Sequence, residues 1–228
     1  MDIAGFIYTA STWVVPILLA ITFHEAAHAY AAWKLGDNTA LAQGRVTFNP
    51  LKHIDPFGTI LLPAMLLFMR APFLFGWAKP VPVNFAALRN PRLGMIIVAA
   101  VGPAINLALA VASALLFHLL WLVPGTGVAW AGKMLSNSII LNLVLAVFNM
   151  LPIPPLDGGR VAVGLLPPAL GRPLARLERY GMLILIGVIF ILPLAGRQLG
   201  IDLNIFQWLV WTPVAWLLPF FKGLAGVG

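Results

Sequence analysis

The sequence predicts an all-α polytopic membrane protein: a bundle of about five transmembrane helices, with a re-entrant hairpin and short extended or β segments near one face. Three observations carry this reading. Of 228 residues, 61% are hydrophobic and 9% charged, with mean hydropathy +0.96, whereas a soluble domain carries roughly 25% charged residues. A water-soluble globule of this composition would leave large apolar patches on its surface. Apolar runs recur at lengths near the roughly 20 residues that a helix needs to cross the hydrocarbon core. The net charge of +7, from 14 Lys and Arg against 7 Asp and Glu, sits mostly at the edges of those runs. Basic residues so placed orient a membrane protein in its lipid bilayer and do not describe a nucleic-acid surface. The chain has no cysteine, which excludes disulfides, thiolate metal ligands and thiol nucleophiles.

The elements follow in order. Residues 3–33 are almost wholly apolar, broken by His24, Glu25, His28 and a few hydroxyls, and read as the first span. Residues 34–57 hold Gly36, Asp37, Asn38, Gly44, Asn49-Pro50 and Asp55-Pro56, a loop with turns and short strands. Residues 58–75 are apolar but interrupted by Pro63, Arg70 and Pro72. In residues 76–92, Pro80 and Pro82 alternate with Val81 and Val83, which favours extended backbone over helix. A long apolar run fills 93–123, and Pro124-Gly125-Thr126-Gly127 is a turn. A second run, 134–157, ends in the proline-rich stretch from Leu151 to Gly159. Four arginines, Arg160, Arg172, Arg176 and Arg179, precede apolar runs at 181–196 and 203–221. Trp208, Trp211 and Trp216 in the last run suit an interfacial or tilted span. No repeat or second domain is visible, so 1–228 is expected to be one domain with a catalytic core at about 10–160 and C-terminal helices at about 175–222.

His24-Glu25-Ala26-Ala27-His28 has the HExxH spacing. On a helix, positions i and i+4 share one face, so both imidazoles can reach one ion, and Glu25 can reach a water on it. Neutral imidazoles suit zinc. Two helix histidines in a structural salt bridge are the alternative. Ionisable groups in a span each cost about 2.5–3.5 kcal/mol on insertion scales; three within five residues call for a compensating partner. A further ligand must then be found among few acids. Asp37 and Asp55 lie in loops and read as solvated turn residues, Glu178 sits among arginines and is expected to pair with them, and Asp2 and Asp202 look interfacial. Only Asp157 closes a long apolar run, although a turn role before Gly158-Gly159 would also account for it.

At these residues the sequence resembles the site-2 protease family (peptidase M50), in a minimal form without PDZ or CBS domain. The resemblance rests on His24-Glu25-Ala26-Ala27-His28, on the stretch Asn149 to Gly159 with Pro152, Pro154, Pro155, Leu156 and Asp157, on Gly76 to Asn84, and on Gly102-Pro103 with Asn106. It implies that His24, His28 and Asp157 bind one zinc ion per chain and that Glu25 activates water. It also implies that Asn149, and with it Asn106, contacts substrate backbone or the developing oxyanion. The substrate would be a transmembrane protein cut within or near its helix.

Membrane depth gives an independent check. His28 lies six residues before Lys34, and Asp157 three before Arg160. A shared ion therefore requires an even number of crossings between them, which 93–123 and 134–157 supply. Run 58–75 must then enter and return as a re-entrant hairpin, tolerable where protein or water covers its backbone. Twelve of the 14 basic residues then share one face, counting Lys222 if the last run crosses, with Lys133 and Arg197 opposite. The positive-inside rule makes the first face cytoplasmic. His118 falls toward the opposite face and His53 in a cytoplasmic loop, so neither is expected as a ligand. The expected location is the cell membrane of a prokaryote. Pro80, Val81 and Pro82 are expected to offer backbone groups to an unwound substrate strand, and Arg160 either orients Asp157 or faces lipid headgroups. A membrane zinc-binding protein or transporter would need ligands in series along a path. An inactive scaffold would be expected to lack Glu25 or a ligand.

Overall fold

The computed structural model describes residues 3–68, 76–125 and 127–227. Helix α1 (Ile3–Lys34) has 32 residues, roughly 48 Å at 1.5 Å per residue, longer than the hydrocarbon core of about 30 Å. A short helix α2 (Thr39–Ala42) and a 3₁₀ turn (Pro50–Lys52) follow. A π-helical turn at Pro56–Leu61, capped by Asp55, leads into α3 (Leu62–Phe68). Helix α4 (Pro91–Leu116) continues as a 3₁₀ turn to Leu122. Helix α5 (Gly127–Asn149) ends in a loop at 150–156, and α6 (Asp157–Leu165) starts from it. Helices α7 (Pro168–Arg176), α8 (Gly181–Ile186) and α9 (Leu192–Leu199) run on through 3₁₀ and π turns. A last π turn (Gln207–Trp211) opens α10 (Thr212–Leu224). No strand occurs among the described residues, and 76–84 has neither helix nor ladder.

Among the described residues, four helical stretches are long and apolar enough to cross a membrane: Ile3–Lys34, Pro91–Leu122, Gly127–Asn149 and Pro168–Leu199. The expected count of five included 203–221, which is not among the four.

Small residues at a spacing of four build the core. Thr12, Pro16, Ala20, His24, His28 and Ala32 form a buried stripe on α1. Gly94, Val98, Gly102, Asn106, Ala110 and Ala114 form a matching stripe on α4. Between membrane helices apolar burial gives no drive beyond lipid, so close backbone approach through small side chains holds the pair. The stripes are antiparallel: His28 meets Val98 and Ala20 meets Asn106. Helix α5 runs parallel to α1, because Trp130 bonds Ser11 and Asn137 bonds Thr12. An apolar cluster of Ala110, Ala114, Ile139, Leu143, Val214, Phe221 and Ala225 joins α4, α5 and α10.

Two placements differ from the sequence reading. His118 Nε2 lies 2.9 Å from the Leu224 carbonyl, so Lys222 sits at the end of the bundle away from Lys34, not at the same end. Residues 185, 188, 189 and 205–206 line one apolar crevice with Phe148, Leu151 and Ile153, and Gly181 abuts Pro154 and Pro155. Residues 181 and 206 therefore sit at one end of the bundle, although the helix that follows 181 is long enough to span. The hairpin reading of 58–75 lies partly outside the described residues, as do Arg70, Pro72 and Asp2. Within them, the Trp77 amide donates to the Gly58 carbonyl and the Thr59 hydroxyl to the Trp77 carbonyl. Gly58 is needed there, since a Cβ would fall inside the Trp77 indole.

Candidate metal centre

Helix α1 projects His24 and His28 from one face into the α4 stripe. Gly102 makes room: a Cβ at that position would collide with both imidazoles. Asp157 reaches them from the first residue of α6. Gly158 and Gly159 let α6 turn tightly against Met150 and Pro154, where a Cβ would strike backbone atoms. Arg92 holds the other end of α6, donating from Nε to Gly164 O and from Nη2 to the Leu165 and Leu166 carbonyls, a cation at a helix C-terminus.

His24 Nε2 and His28 Nε2 are 3.0 Å apart. Asp157 Oδ2 lies 3.2 Å from the first and 3.3 Å from the second. All three residues are buried. Ligand atoms around tetrahedral zinc, at bonds near 2.0–2.1 Å, stand about 3.3 Å from one another. The triangle has that size.

The tautomers fit the same conclusion. His28 Nδ1 is 2.7 Å from the Val98 carbonyl, which can only accept, so Nδ1 carries the hydrogen and a neutral ring turns the Nε2 lone pair inward. His24 Nδ1 is 2.6 Å from Asn106 Oδ1. Neither neutral ring then has a hydrogen to give, and Asp157 Oδ2 has no hydrogen-bond partner. Three acceptors facing one point repel one another unless a cation lies among them. The donor set therefore fits a metal ion, with both Nδ1–H groups oriented by outer partners as metal-bound histidines require.

Glu25 is half-buried beside this cluster on α1 and accepts a 2.8 Å bond from the Val81 amide at Oε2. The 76–84 stretch carrying Val81 is pinned along its length. Lys79 N donates to His53 O, Arg45 Nη2 to Lys79 O, and Asn84 N to Asp37 Oδ2. Asp37, expected as a solvated turn residue, is fully buried and also accepts from the Thr39 amide and hydroxyl. Burial alone would raise its carboxyl pKa; the three hydrogen bonds outweigh that and hold it below its ordinary value.

Asn106 is completely buried behind His24 and bonded to it. Asn149 donates from Nδ2 to Leu145 O on its own helix. Pro80 is exposed and Pro82 half-buried. His53 Nε2 donates to Thr47 O, and His118 Nε2 to Leu224 O; neither joins the cluster. Arg160 pairs with Glu178 at 2.7 Å and not with Asp157. The sequence reading missed Val98 and Asn142 and gave Gly102 no role of its own. Val98 and Gly102 act through a carbonyl and through lack of a side chain. Asn142 had a signal, a carboxamide within an apolar span.

Known proteins resemble this chain closely. A model of "Peptidase family M50" matches residues 127–194. "Putative zinc metalloprotease YwhC" of Bacillus subtilis is 41% identical over 198 residues, covering 84% of this chain and 85% of that protein. "Putative zinc metalloprotease Rip2" of Mycolicibacterium smegmatis is 32% identical over 192 residues, covering 84% and 70%. "Putative zinc metalloprotease MJ0611" of Methanocaldococcus jannaschii is 44% identical over 141 residues, covering 61% and 62%. No solved structure matches.

Proposed function

The chain belongs to peptidase family M50, and from that premise we propose that it is an intramembrane zinc metalloprotease of the site-2 type. It would hydrolyse peptide bonds within or near the transmembrane helices of membrane proteins. The observation that carries this is the buried convergence of His24, His28 and Asp157 with Glu25 on the same helix turn. Among the described residues it is the one such group, which favours an enzyme over a transporter that needs ligands in series. Glu25 and the three candidate ligands are all in place, which speaks against an inactive scaffold.

His24 and His28 through Nε2, and Asp157 through Oδ2, would hold the ion. When bound, zinc lowers the pKa of a coordinated water toward about 7 and polarises a carbonyl. Glu25 takes the water proton and passes it to the leaving amine. Its Oε2 is fixed by Val81 N–H, so Oε1 is the oxygen that receives the proton. A substrate helix must unwind first, because its backbone bonds are satisfied internally. Pro80 and Pro82 have no N–H, so the segment beside Glu25 offers carbonyls to an unwound strand. Asn149 keeps a second amide hydrogen for a substrate carbonyl.

One intramembrane domain spans 1–228 in this reading, and α1, α4, α5 and the 207–224 helix cross the bilayer. The chain makes no net crossing between 181 and 206. The bond from the Trp77 amide back to the Gly58 carbonyl supports a re-entrant course for residues 58–68. The basic residues around Lys34 and Arg160 support a centre nearer the cytoplasmic face of a prokaryotic cell membrane.

Cleavage of a single-span test substrate by purified protein, wild type beside Glu25→Gln, tests the reading. The variant should keep its zinc and lose at least about a hundredfold in rate, as loss of a general base predicts. Cleavage undiminished in E25Q would contradict it.

A further inference from the structure

Behind His24 lies a buried carboxamide pair whose direction is fixed from its far end. Asn106 and Asn142 are 0% and 1% exposed, in a region where an unpaired polar group costs several kcal/mol. Asn142 Nδ2 is 2.9 Å from the Ser138 carbonyl. That oxygen can only accept, so the Asn142 amide faces it and Oδ1 faces away. Asn142 Oδ1 accepts from Asn106 Nδ2 at 2.8 Å, and the Ala20 carbonyl accepts from the same nitrogen at 3.4 Å. Asn106 Oδ1 is thereby turned to His24 Nδ1 at 2.6 Å.

We propose that Asn142 is a positioning residue that acts through Asn106 to hold the His24 imidazole in its metal-binding tautomer and orientation. A carboxamide is nearly two-fold symmetric in shape, and only its neighbours decide which end faces His24. Flipped, Asn106 would present N–H groups to Nδ1. The ring would then move its hydrogen to Nε2, and a protonated Nε2 cannot bind a metal. Of the two acceptors opposing the flip, Ala20 O is the longer contact and Asn142 Oδ1 the shorter. The bland role for such a residue is glue between helices. Asn137, also on α5, fills it: it is 2% exposed and donates to Thr12 Oγ1, away from His24 and its bond to Asn106.

This inference rests on the metal-centre reading, and the comparison separates the two. Zinc affinity is measured by competition with a chromophoric chelator, and the cobalt-substituted absorption spectrum is recorded, for wild type, Asn142→Leu, Asn142→Ala, Asn142→Asp and Asn137→Leu. N142L and N142A should bind zinc about tenfold more weakly, the lower end of what outer partners of metal-bound histidine contribute, with an altered cobalt spectrum. N142D, which keeps an oxygen facing Asn106 and when protonated a donor to Ser138, should stay within about threefold of wild type. N137L should lower thermal stability and leave affinity and spectrum unchanged. The proposal is overturned if N142L and N142A bind as wild type does, if N142D loses as much as they do, or if N137L loses equally. Failure of wild type to bind zinc at all would instead sink the metal-centre reading itself.

Discussion

Gly102 matters to the site through what it lacks. A methyl there would lie inside the His28 ring and against His24, so Gly102→Val should displace both imidazoles. Overpacking of this kind costs about 1–3 kcal/mol, small enough for a folded chain to survive. The expected result is folded protein with substoichiometric zinc, read by metal analysis beside circular dichroism; stoichiometric zinc in G102V would show that the imidazoles do not need this space. At this scale the HExxH pair was legible because helix periodicity alone puts residues four apart on one face. Asp157 stood out because acids are few in so apolar a chain. The Asn106 carboxamide is visible in sequence, but only the packing of α1 on α4 shows that it bonds His24. Val98 leaves no sequence signal, since its carbonyl does the work.

Between residue and bundle, the α1 and α4 stripes explain why the centre lies where it does. Both were present in the sequence as a spacing of four, with small residues such as Thr12, Ala20 and Ala32 on α1 and Gly94, Gly102, Ala110 and Ala114 on α4 that let the two helices approach closely. The extended character expected for 76–84 rested on alternating prolines. What the sequence could not show was its anchoring, because the acceptors come from distant loops. Asp37 is the clearest anchor. Its carboxyl is held below the ordinary value of about 3.9, so it contributes stability that is fully present above that value and is lost as pH falls through the folded-state value. Resistance to thermal unfolding in detergent should therefore weaken below about pH 4 in wild type. Asp37→Ala should be less stable at pH 7 by about 1.5–3 kcal/mol, the range for a hydrogen bond to a charged group, and should show less of that acid dependence. Equal acid sensitivity in both proteins would remove Asp37 from the account.

Over the whole molecule, hydropathy and packing count the spans differently. Composition admits Pro168–Leu199 and passes over 207–224, whereas contacts run the last helix from Phe148 and Phe206 at one end to His118 and Leu224 at the other. The sequence could not reveal this, because marginal hydropathy with proline and tryptophan is compatible with either outcome. The cysteine-free background permits a direct check with an impermeant thiol reagent on intact cells. Lys222→Cys and Lys133→Cys should label together from outside, and Lys52→Cys only after permeabilisation. Protection of K222C alongside K52C would return the C-terminal helix to the other orientation.

The expectations for Glu25, Gly102 and Asn142 depend on His24, His28 and Asp157 holding one metal ion. Zinc quantification on detergent-purified protein, wild type beside Asp157→Ala, tests that most directly. The account predicts one zinc per wild-type chain and a clear loss in D157A, which lacks the anionic member of the triangle. Stoichiometric zinc retained in D157A would contradict it, because the ion would then be held elsewhere.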